Sequence, residues 1–143
     1  MKSLVLVADD PTVVRNVRVV LRHAAGLRVA ATIDGRFAVR ARLSELRPDV
    51  VLIDEMCQRT NAFARLREVT LAAPQAMAVL LCDAPERAMV DDALAAGARA
   101  VLSRRAHPAL LGAQLIAVAN GAIVPLARRA GAQRWDETAR TSA

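Results

Sequence analysis

The chain has 143 residues, enough for one ordinary domain, and its 55% hydrophobic content excludes a largely disordered protein. A net charge of +6 and a pI near 11.1 admit an acidic partner, but aromatics make up only 2% and none interleaves with the arginines to stack bases, which argues against direct nucleic-acid binding. Small aliphatics must therefore build the core, and of the 20 basic residues only Lys2 is lysine.

Met1-Lys2-Ser3 and the five apolar residues after it are too short for a secretory signal core. Leu4 to Ala8 reads as a buried strand that stops on Asp9 and Asp10. Thr12 to Ala25 reads as a helix closed by Gly26, with Val14, Val17 and Leu21 on one face and Arg15, Arg18 and Arg22 on a solvated one. Arg28 to Ile33 is the next strand, and Arg36 to Leu46 a helix stopped before Pro48. Val50 to Asp54 is a third strand, followed by a helix from Ala62 to Ala73 that ends before Pro74. Met77 to Leu81 and Ala100 to Leu102 complete the strands, Glu86 to Ala96 is a helix ended by Gly97, and Ala109 to Asn120 one ended by Gly121.

Four of the strands are nearly continuously apolar, as strands covered on both faces are. The alternation predicts a (βα)5 three-layer sandwich around a five-stranded parallel sheet with right-handed crossovers. Pro108 to Ala127 carries no charge, but Gln114, Asn120, Gly121 and Pro125 interrupt it, so it reads as a buried helix and turn and no membrane contact is expected. Beyond Leu126 the periodicity fades. We expect a domain over 1–126 and a linker or tail over 127–143, in which a lone Trp135 settles nothing. A cytoplasmic location and two free thiols, Cys57 and Cys82, are expected.

Chemistry in such a sheet gathers outside the carboxyl ends of strands, where the strand order reverses. Five-stranded sheets of this kind commonly have the order 2-1-3-4-5, which sets strand 1 beside strand 3 and brings Asp9, Asp10 and Asp54 into one pocket. Asp9 and Asp10 alone would read as caps of the first helix. With a third carboxylate beside them they would repel unless a cation intervened, and an oxygen-only set with room for water suits Mg2+. A carboxylate beside Mg2+ can accept a phosphoryl group. No glycine-rich phosphate cradle follows strand 1, and His23 and His107 lie away from the cluster, so flavin binding and Ser-His-Asp hydrolysis are excluded.

With the Asp9-Asp10 pair, Pro48-Asp49-Val50-Val51-Leu52-Ile53-Asp54, Ala93-Leu94-Ala95-Ala96-Gly97-Ala98 and Ala119-Asn120-Gly121-Ala122-Ile123-Val124-Pro125, the chain resembles response-regulator receiver domains of two-component systems from about Leu4 to Pro125. The last of these resembles the branch joined to a LuxR-type helix-turn-helix. The resemblance implies a flavodoxin-like fold, with Asp54 as phospho-acceptor from a histidine kinase. It further implies Asp10 as direct Mg2+ ligand, Asp9 as a ligand through water, and the Met56 carbonyl as a backbone ligand; Asn61 falls where the family often has Asp or Asn. It implies a transcriptional regulator that reaches DNA only through an output domain absent from this chain. It implies no enzyme beyond self-phosphorylation from a phosphodonor and slow autodephosphorylation.

This chain departs from the family pattern at four places. Cys82 stands at the family Ser/Thr position and Arg104 at the family lysine position; Val101 replaces an aromatic and Cys57-Gln58-Arg59 the usual Met-Pro-Gly. These changes keep open an alternative, a degenerate pseudo-receiver acting as a phosphorylation-independent dimerisation or interaction module. A thiol switch between Cys57 and Cys82 is a third reading. The uncharged helix 109–120 predicts a homodimer, with Ala113 and Ile116 facing outward.

Overall fold

The computed structural model describes residues 1–122, so the expectations placed on the end of the Ala119-to-Pro125 run, on the linker and on Trp135 lie outside the described residues. Strands β1 (Lys2–Ala8), β2 (Leu27–Asp34), β3 (Val50–Asp54), β4 (Met77–Cys82) and β5 (Ala100–Ser103) alternate with helices α1 (Pro11–Leu21), α2 (Arg40–Leu46), α3 (Arg59–Ala72), α4 (Arg87–Ala95) and α5 (Pro108–Ala119). The sheet is parallel throughout, in the order β2-β1-β3-β4-β5. The expected architecture and order are both observed.

Strand side chains alternate between the two faces of the sheet, and the core divides accordingly. Val5, Val7, Val51 and Ile53 pack with Leu43, Leu66, Val69 and Val90 from α2, α3 and α4. Leu4, Leu6, Val50 and Leu52 pack with Val17, Leu21, Leu111 and Leu115 from α1 and α5. The two layers of helix shield β3 completely, which is why its run carries no polar residue before Asp54. The edge strand β2 takes a register shift against β1 between Leu4 and Val5, a bulge of the kind edges tolerate.

Three helix boundaries differ from the sequence reading by three residues or more. The first helix ends at Leu21 rather than Ala25, because His23 and Ala24 donate back three residues, to Val20 and Leu21, and tighten the chain into turns well before Gly26. The second begins at Arg40 rather than Arg36. Asp34 Oδ1 accepts the Arg36 N–H at 3.0 Å in a side-chain-closed turn, and the Val39 N–H donates to Glu68 Oε2 at 2.7 Å, holding Val39 outside helical geometry at a φ of −117° and a ψ of 1°. The third starts earlier than expected, at Arg59, whose side chain pairs with Glu55 one turn before it. Gly97 ends α4 as the sequence suggests: its φ of +112° lies in the left-handed region, and Ala98 N–H returns to Ala93 O at 2.9 Å.

Candidate functional site

The carboxyl ends of β1 and β3 lie side by side, paired through Val7 and Ile53. Each then stops on acid, Asp9 and Asp10 beyond one and Asp54 at the end of the other. The loops are tied together directly, because Asp9 Oδ2 accepts the Cys57 N–H at 3.2 Å. A cavity of about 370 Å³ opens there, lined by Asp9, Asp10, Asp54, Met56, Cys57 and Arg104, with Pro11 and Val13 from the start of α1. The three aspartates singled out from the sequence therefore share one cavity.

Each side chain is held for a local reason. Asp10 caps α1, its Oδ1 accepting the Thr12 N–H at 2.8 Å with Pro11 at the first helical position. The capping role and membership of the cluster thus coexist. Asp54 is 2% exposed, and its Oδ2 accepts the Met56 N–H at 2.9 Å. Met56 has a φ of +62°, uncommon for a residue with a side chain. Its buried side chain lies over Gly35 in the turn after β2, where a Cβ would collide with the Met56 sulfur and with Val7. The turn beyond Asp54 is thereby anchored to the neighbouring loop.

Arg104 comes from just beyond β5, its own N–H bonded to Cys82 O at 2.8 Å. Nη1 pairs with Asp54 Oδ1, and Nη2 reaches Glu55 Oε1 at 3.4 Å. Burial pushes the Asp54 carboxyl above its ordinary range; the Met56 N–H and the Arg104 charge oppose that shift without cancelling it, while Glu55 adds to it.

Cys82 is not among the residues lining the cavity, although it lies within electrostatic reach of Glu55, Arg104 and Asp54. It is fully buried in the core on the α2, α3, α4 side of the sheet, with Sγ 3.6 Å from Leu102 O, and burial pushes its thiol up to about 12. Cys57 is exposed and Cys82 buried, and both are free thiols, so the thiol-switch reading has little chemistry to work with. Val101 is buried within β5 opposite Leu80. Asn61 lies in α3, outside the cavity lining.

Glu55 was not singled out from the sequence, yet it binds four elements together. Oε1 accepts the Asp83 N–H at 2.8 Å as well as facing Arg104, and Oε2 pairs with Arg59 at 3.3 Å. Its adjacency to Asp54 was the available signal, but alternation only says that it leaves the other face of the strand.

The donor set suits a hard cation. Asp9, Asp10 and Asp54 line the cavity together with Met56, and among the described residues no three or more His, Cys, Asp or Glu side chains are placed to enclose a metal by themselves. That arrangement fits Mg2+, which takes one or two carboxylates and keeps several waters, and does not fit a four-ligand zinc site.

Residues 4–116 match the family model described as the response regulator receiver domain. The chemotaxis protein CheY of Thermotoga maritima is 29% identical over 109 residues, covering 76% of this chain and 90% of that protein. Protein-glutamate methylesterase/protein-glutamine glutaminase 2 of Xanthomonas campestris pv. campestris is 34% identical over 101 residues, 69% of this chain, and the chain spans only 29% of that protein's length. Among solved structures, a LuxR-family two-component response regulator from Aurantimonas sp. SI85-9A1 aligns with a TM-score of 0.78 at 22% identity, covering 94% of this chain and 97% of that one. The signal receiver domain of NarL from Mycobacterium tuberculosis aligns at 0.73 and 21%, covering 84% and 97%. At these identities the structural likeness speaks for the fold alone.

Proposed function

The chain belongs to the response regulator receiver domain family, and from that premise we propose that it takes a phosphoryl group on Asp54 from a histidine kinase, with Mg2+ held by Asp9, Asp10, Asp54 and the Met56 carbonyl. The observation that carries this reading is the single cavity in which a buried acceptor carboxylate, two further carboxylates and a guanidinium converge. One oxygen of Asp54 attacks phosphorus in line. The bond from phosphorus to the donor breaks as the new phosphorus–oxygen bond forms, and the donor leaves with the electron pair. Bound Mg2+ supplies charge neutralisation for the transferring group. Arg104 supplies a fixed positive charge at Oδ1 of Asp54, with its second nitrogen turned to Glu55, and the Met56 N–H holds Oδ2, so the carboxylate is oriented by a bond to each oxygen.

Receiver domains are signalling modules rather than enzymes, and self-phosphorylation from a small phosphodonor with slow autodephosphorylation is part of the proposal. The pseudo-receiver alternative is not favoured, since the cavity keeps an acceptor, its carboxylate neighbours and a cation together. Cys82 and Val101 bear on how phosphorylation is read out rather than on the transfer itself. The first test is intact-mass spectrometry after incubation with acetyl phosphate. Wild type is expected to gain one phosphoryl group only with Mg2+, and Asp54→Ala none; a gain that persists in Asp54→Ala would overturn the assignment.

We further propose a cytoplasmic response regulator of transcription that dimerises through α5 and acts on DNA through a LuxR-type output domain outside this chain. Among the described residues no helix is long and apolar enough to cross a membrane. Along α5, Ala109 and Ala113 are exposed and Leu110 is 50% exposed, which supports an apolar contact surface there. Ile116, expected outward, is half-buried against the α1–α5 core layer, so Leu110 takes its place in the proposed contact. Leu110→Arg is expected to convert a dimer to a monomer in light scattering at high micromolar concentration, with the fold unchanged by circular dichroism.

A further inference from the structure

Arginine differs from lysine in carrying two terminal nitrogens in one rigid plane, and here the two are divided between neighbours. Nη1 of Arg104 donates to Asp54 and Nη2 reaches Oε1 of Glu55 at 3.4 Å. Glu55 is not a passive acceptor, because its 14% exposed side chain is held from two further sides. The backbone N–H of Asp83 donates to Oε1 at 2.8 Å, and the Arg59 guanidinium lies 3.3 Å from Oε2. The Glu55 carboxylate is thus fixed by the end of β4 and the first turn of α3, and in turn fixes a guanidinium arriving from beyond β5. A single ammonium at position 104 is one point charge on a flexible stem and has no second nitrogen with which to span both carboxylates.

We propose that Glu55 is a positioning residue that holds the Arg104 guanidinium over Asp54, so that residues 55 and 104 form a matched pair at the phosphoryl-acceptor site. Its effect on rate rests on the reading of Asp54 as acceptor, whereas its effect on the guanidinium does not. Without Glu55, the 29% exposed Arg104 side chain has only one anchor and exchanges it readily for water. With Glu55 in place, Nη2 remains tethered while Nη1 follows the Asp54 oxygen or a group attached to it.

The test combines a spectroscopic signature with kinetics. Nitrogen-15 NMR of the Arg104 guanidinium is expected to show hindered rotation in wild type and faster rotation in Glu55→Gln. Glutamine is isosteric, and its Oε1 keeps the Asp83 N–H bond and leaves Nη2 only an uncharged acceptor, so the fold should be retained while the ionic tether is lost. Mg2+-dependent phosphorylation by acetyl phosphate is expected to slow about tenfold in Glu55→Gln and in Arg104→Lys, the range typical of losing a supporting partner. The double variant Glu55→Gln, Arg104→Lys is expected to be no slower than Arg104→Lys alone. Unchanged Arg104 resonances in Glu55→Gln, a faster rate in that variant, or additive effects in the double variant would each overturn the proposal. A loosened guanidinium in a protein whose wild type takes no phosphate would uphold the positioning role and defeat the acceptor reading. Should Glu55→Gln fail to fold, Arg104→Lys with Glu55 intact gives the decisive comparison: a rate equal to wild type would overturn the pairing, and a slower rate would support it.

Discussion

Asn at both positions 9 and 10 is expected to abolish the Mg2+ dependence of phosphoryl uptake and to lower its rate by about two to three orders of magnitude, while leaving the fold as stable as before. The size follows from a metal's contribution of several kcal/mol to charge stabilisation, at about 1.4 kcal/mol per factor of ten. The unchanged stability follows from geometry. Asp10 caps α1 through Oδ1, and asparagine caps a helix about as well as aspartate. The Asp9 contact to Cys57 N–H needs only an oxygen acceptor, which an asparagine retains. The substitution therefore removes negative charge and keeps the hydrogen bonds. Time courses of intact mass with acetyl phosphate, with and without Mg2+, beside melting curves, check both halves. If uptake kept its Mg2+ dependence, Asp10 would be a helix cap and Asp9 a tie to the Cys57 loop, and nothing more.

Arg104→Ala is expected to cost about 2 kcal/mol at neutral pH, or roughly 6 °C in melting temperature for a chain of this size. Removing one partner of a fully buried ion pair costs more, but Arg104 is 29% exposed and the cavity admits water, so the lower figure applies. The pH dependence has a definite sign. Burial already raises the Asp54 carboxyl in the folded state. A carboxyl raised in this way favours folding below its unfolded value near 3.8, and that advantage is lost as pH rises through the folded value. Deleting the Arg104 charge raises it further. The difference between wild type and Arg104→Ala should therefore be largest at neutral pH and close in acid. Adding Asp54→Asn to Arg104→Ala should restore most of the loss, since the uncompensated charge is then gone. Urea unfolding of the variants at about pH 4 and pH 7.5 decides it. Equal losses at both pH values, or no rescue by Asp54→Asn, would mean that Arg104 contributes through packing rather than charge.

The boundaries that departed from the sequence reading share a cause. Apolar periodicity located α2, but its start depends on Asp34 closing a turn onto Arg36 and on Glu68, a residue of α3, taking the Val39 N–H. Cys82 occupied a position that invited a donor role, yet its sulfur lies against Leu102 O inside the core. Arg104 was legible as a cation at the end of β5; that its two nitrogens are shared between Asp54 and Glu55 was not, because those partners lie 50 and 49 positions away in the chain.

The sequence by itself determined the layers, the parallel strands and the gathering of Asp9, Asp10 and Asp54. Strand burial leaves an uninterrupted apolar run, helices leave a stripe and a stop, and a charge at the end of a buried strand must be compensated where strands meet. Only the tertiary structure decided which acid serves the arginine, which cysteine faces water and where the helices begin and end. Those outcomes turn on contacts of about 3 Å between groups brought together by the fold, and hydrogen bonds at that range depend on distances and angles that no local pattern encodes.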